Sequence, residues 1–70
     1  MDSEEENRIA CELMEQALLA IRKPGLPYKQ RRAISVALRS MPDAYSCPRA
    51  FRAWNQKPLR EAIAASGMKF

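Results

Sequence analysis

The placement of proline and glycine constrains this chain more than any other feature. Pro24 with Gly25, then Pro27, Pro42, Pro48, Pro58 and Gly67 divide the 70 residues into stretches the length of single helices. Proline is tolerated in the first turn of a helix, breaks its interior, and pushes the preceding residue out of the helical region. Glycine just beyond a helix supplies the left-handed residue that ends it. Between these breakpoints apolar residues recur with a period near 3.6, and no alternating β pattern of useful length occurs. The expectation is all-α: a single domain over residues 1–70, a small bundle of about four helices, two longer and two short.

The first helix is announced by "SEEE", which reads as a capping box with Ser3 as N-cap and Glu6 three residues on. It should run to about Arg22 and stop at "KPG", with Ala10, Met14, Ala17 and Ile21, flanked by Leu13 and Leu18, as its core stripe. At 100° per residue, Arg8, Glu12, Glu15, Gln16 and Leu19 fall on the opposite side, and Leu19 is the apolar exception there. The second helix opens at "LPY", with Pro27 at its first position, and extends to about Ser40. Ile34, Ala37, Leu38 and Met41, helped by Ala33, form its inner side. Tyr28, Arg32, Ser35 and Arg39, with Lys29 and Val36 beside them, form an outward basic ridge carrying an aromatic at one end.

"MPDAYSCP" breaks the chain, and Pro48 restarts it as "PRAFRAWN", capped by Ser46 or Cys47. Phe51 and Trp54 share one side of that short helix and Arg49 and Arg52 another. A chain with five aromatic residues is expected to spend Phe51 and Trp54 on its core. The last helix begins at Pro58 and ends before Gly67, with Leu59, Ala62 and Ile63 inward and Met68 or Phe70 folding back over the glycine cap.

Composition removes several classes of function. At 47% hydrophobic and 29% charged the chain is too apolar for disorder and too charged for a membrane protein. It contains no run approaching a membrane span, and its acidic start is unlike a secretory signal, so a cytoplasmic location is expected. Two cysteines, Cys11 and Cys47, are too few for a disulfide framework and read as free thiols. The absence of histidine removes the usual general base, the commonest metal ligand and the Ser/His and Cys/His nucleophile pairs. Neither enzyme, metal site, cofactor nor small-molecule substrate is expected.

Charge is divided along the chain. Residues 1–21 carry six acids against one base, a net −5, whereas residues 22–70 carry eleven bases against two acids, a net +9. Clustered like charge suits a polyanion or an acidic protein surface as partner. The competing reading is that the acidic helix neutralises the basic ones inside the fold.

The first functional expectation is therefore a small non-catalytic regulatory protein that contacts nucleic acid, with Lys29, Arg32 and Arg39 on phosphates and Arg49 and Arg52 near base edges. The order helix, break, short helix resembles a helix-turn-helix, yet the break is longer and free of glycine, which departs from that motif. The alternative is a protein-binding inhibitor or adaptor, of the kind a phage or plasmid directs against a larger host protein. Its contacts would be Glu12, Glu15 and Leu19 of the first helix, with Tyr28, Tyr45 and the arginines at the rim. A homodimer through the first helix is a third possibility, in which Arg8 would have to relieve the repulsion of two acidic faces.

Overall fold

The computed structural model describes the backbone of residues 2–67 and the side chains of residues 4–67. It contains four helices and, among the described residues, no strand: α1 (Asp2–Ile21), α2 (Tyr28–Arg39), α3 (Pro48–Ala53) and α4 (Lys57–Ala65). α1 is the spine. The other three pack against it and α2 also packs against α4, so one core serves the whole chain. Twenty helical residues make a rod of about 30 Å, which accounts for a body measuring 40 × 16 × 15 Å. No helix among the described residues is long and apolar enough to cross a membrane.

The core is built from Leu13, Ile34, Phe51, Leu59 and Ile63, all fully buried, filled in by Ala10, Ala17, Ala20, Leu26 and Ala44. Burying each large side chain stabilises the fold by about 1.5–3 kcal/mol. Phe51 and Trp54 behave as expected of a chain poor in aromatics: their rings lie 5.7 Å apart, tilted by 40°, with Phe51 inside and Trp54 half-buried against it.

The inner face of α1 differs from the expected stripe. Ala10, Leu13, Ala17 and Ala20 are buried, while Met14 and Leu18 are 45% and 42% exposed and Ile21 is only partly covered. The buried face is thus turned by about 50° from the expected stripe of Ala10, Met14, Ala17 and Ile21. Three helices lean on α1, and three alanines let their backbones approach more closely than Met14 or Ile21 would. Glu6 continues this face by one turn, where its carboxylate receives Arg52 from α3.

The expected capping box needs Ser3 ahead of the helix, whereas α1 already starts at Asp2; the Ser3 side chain lies outside the described residues, and the Glu6 carboxylate pairs with Arg52. Pro27 is the N-cap of α2 rather than its first helical residue, and its carbonyl accepts the Arg31 N–H at 3.1 Å. Ile34 of α2 is buried as expected, Ala37, Leu38 and Met41 pack at the core's edge, and Ala33 is exposed. Cys47 caps α3 ahead of Pro48, and both thiols are free and exposed. In the break before α3, Asp43 accepts the backbone N–H groups of Tyr45 and Ser46 (2.9 and 3.2 Å) and the Ser46 hydroxyl (3.1 Å). These bonds hold its carboxyl below the ordinary aspartate range. Two residues beyond α4, Gly67 has a φ of +90° and is the left-handed residue the sequence calls for. Lys23, from the α1–α2 turn, donates to the Ser66 carbonyl at 2.7 Å and so closes the far end of the bundle. The expected fold-back of Met68 or Phe70 lies outside the described residues.

Candidate nucleic-acid interface

α2 contains four bases and no acid. Lys29, Arg31 and Arg32 sit in its first turns, where the helix dipole favours negative charge and each positive one is unfavourable by about 0.3–1 kcal/mol. Folding alone gives no reason to collect them there. The helix is held by its other side, where Ile34 is buried and Ala37 and Leu38 reach the core, so the basic side is left to solvent.

Two grooves run along that solvent side and have Arg32 and Val36 in common. The polar one is lined by Tyr28, Arg31, Arg32, Ser35, Val36 and Arg39, so the structure brings the expected ridge together on one strip. The other, of about 540 Å³, has an apolar floor of Ala33, Val36, Ala37 and Pro58, a hydroxyl from Ser40, and a rim of Lys29 and Arg32. Tyr28 is 69% exposed, and its hydroxyl accepts an Arg32 N–H at 3.5 Å, which sets the ring beside the guanidinium. Val36 is 54% exposed.

The acids of α1 do not neutralise this strip. Among the described residues, ion pairs join Arg8 to Glu12, Arg52 to Glu6 and Lys57 to Glu61, and none reaches Lys29, Arg31, Arg32 or Arg39. Of these three pairs, the one made by Glu6 connects the acidic segment with the basic one. Its Arg52 hydrogen bond lowers the Glu6 carboxyl from its ordinary value, ahead of a smaller backbone contribution.

α3 holds the remaining two candidates for nucleic acid, and neither lines either of these two grooves. Arg52 is engaged by Glu6, while Arg49 is exposed with no carboxylate in ion-pair range among the described residues. The reason is architectural: α3 packs against α1, and its link to α2 runs through Trp54 Nε1–H, which donates to Ser40 Oγ at 3.1 Å. The residues proposed for protein contact, Glu12, Glu15 and Leu19 on α1 and Tyr45 in the α2–α3 loop, are all exposed. Glu12 is occupied in part by Arg8, at 3.4 Å one turn away.

Arg31, Ser40 and Pro58 belong to the site and are not among the expected residues, nor are Ala33 and Ala37, which the sequence places on the inner side of α2 and the structure brings to the groove. Arg31 was within reach of the periodic count, being three residues after Tyr28 and so on the same side. Pro58 comes from another helix, and only the packing of α4 on α2 brings it there. Comparison with family models, curated proteins and solved structures finds no match to this chain.

Proposed function

We propose that this protein is a small non-catalytic regulatory module that binds nucleic acid through the basic side of α2. The observation that supports this reading is the row of Lys29, Arg31, Arg32 and Arg39 on a helix without acids, beyond the ion-pairing reach of any carboxylate among the described residues. Had α1 served to neutralise the basic segment, its glutamates would meet these cations; one of them meets Arg52 instead. A strip of uncompensated cations about 15 Å long suits a ligand charged at every residue. Arg49 stands as a peripheral contact, and Arg52 serves first to tie α3 to α1.

Anisotropy titrations of labelled oligonucleotides, duplex and single-stranded, over a series of salt concentrations test the proposal. Four phosphates neutralised give a log–log slope of about −3.6 on duplex, and Arg32→Ala or Arg39→Ala flattens it by about one unit each. Absence of binding to either form at low salt refutes the proposal.

A further inference from the structure

We infer that the ligand of the α2 surface is single-stranded nucleic acid, with an unpaired base seated on Val36 between Ala33, Ala37 and Pro58. This rests on the nucleic-acid reading above and adds to it the form of the strand.

The argument starts from what the two grooves require. Cations alone would be satisfied by any polyanion, but the larger groove has an apolar floor beneath a cationic rim. A duplex turns its phosphates outward and keeps the faces of its bases stacked inside. Laid on this surface it would meet Lys29, Arg31, Arg32 and Arg39 and press charged backbone over Val36 and Pro58, which offer it nothing. A single strand alternates a charged link with a flat, apolar face, and each has a counterpart here: phosphates on the rim, a base on the floor. The Tyr28 ring, held beside Arg32 by its hydroxyl, offers a second stacking surface at the end of the strip.

An acidic peptide could also present charge and apolar groups together. The cations favour a strand over it because they continue past the apolar floor to Arg31 and Arg39, in a groove with much less apolar lining. A ligand carrying charge at every step uses that continuation.

The chain holds its own reporter. Trp54 is its single tryptophan, and the indole N–H is bonded to the hydroxyl of Ser40, a residue of the groove wall. Three probes are compared at one low salt concentration: oligothymidylate, an abasic oligonucleotide of equal length, and a duplex. The abasic strand keeps the phosphates and lacks the bases. The expected result is oligothymidylate binding about tenfold more tightly than the other two, as loss of one stacked base would produce, with a change in Trp54 emission for oligothymidylate alone. Val36→Ser, exposed and thus compatible with folding, should erase that preference, whereas Arg32→Ala should weaken all three. Equal affinity for the three probes, with the salt slope intact, overturns the inference and leaves the nucleic-acid reading standing. Failure of all three to bind, with poly-glutamate changing Trp54 emission instead, overturns both.

Discussion

Replacing Gly67 by alanine tests how the far end of the bundle is closed. Two contributions can be worked out separately. At φ +90° an L-residue is strained by about 1 kcal/mol relative to glycine. The new Cβ would also stand 2.6 Å from Lys23 Nζ, closer than contact allows. The ammonium, being the free end of a flexible chain, would swing away and give up its 2.7 Å bond to the Ser66 carbonyl. That bond is charge-assisted but partly in solvent, so its loss costs about 1 kcal/mol. Gly67→Ala should therefore lower stability by about 2 kcal/mol, which in a domain this small moves the melting temperature by roughly 8–16 °C. Far-UV circular dichroism, with heat and urea, gives the number, and a cycle with Lys23→Ala divides it. In the Lys23→Ala background only the backbone strain remains, so Gly67→Ala should cost about 1 kcal/mol there, leaving a coupling of about 1 kcal/mol. An equal cost in both backgrounds would show that Lys23 does not close this end and would refute the reasoning.

Two further outcomes follow from the core and from the Glu6–Arg52 link between acidic and basic segments. Phe51→Ala removes the largest buried side chain, a loss of about 3–5 kcal/mol, comparable with the roughly 3–5 kcal/mol that a core of this size supplies; its thermal transition should lose cooperativity, while Phe51→Leu keeps it. The Glu6 carboxyl is held below its ordinary value of 4.5, first by the Arg52 hydrogen bond. Its contribution is therefore fully present above that value and disappears as pH falls through the lowered one. Glu6→Gln should be less stable than the parent at neutral pH and should shed part of the parent's acid-induced loss of stability; an acid limb of identical steepness in both proteins would contradict the ion pair.

The number, order and approximate limits of the helices were legible because proline and glycine mark them locally and need no knowledge of tertiary contacts. The same holds for the strip of Tyr28, Arg32, Ser35 and Arg39, which is a matter of position along one helix. What depends on packing was not legible. The face of α1 was misplaced because Met14 and Ile21 outrank Ala20 in hydrophobicity, while the bundle selects for close approach of three helices. Glu6 read as a cap and is an ion-pair partner from across the fold, since Arg52 lies 46 residues away. Pro58 reads as a helix start and is the second residue of α4, one position inside it, and nothing in its neighbours along the chain announces that it also walls a groove on α2.

The turned face of α1 inverts the usual relation between a residue's bulk and its tolerance of replacement. Met14 and Leu18 can drift towards glutamine or lysine with little penalty, because water already reaches them. Ala10, Ala17 and Ala20 have no such latitude: even one added branch at Ala17 would wedge the helices apart, a penalty of about 1–3 kcal/mol. Sequences descended from this one should keep the plainest side chains of the first helix and lose the showier ones.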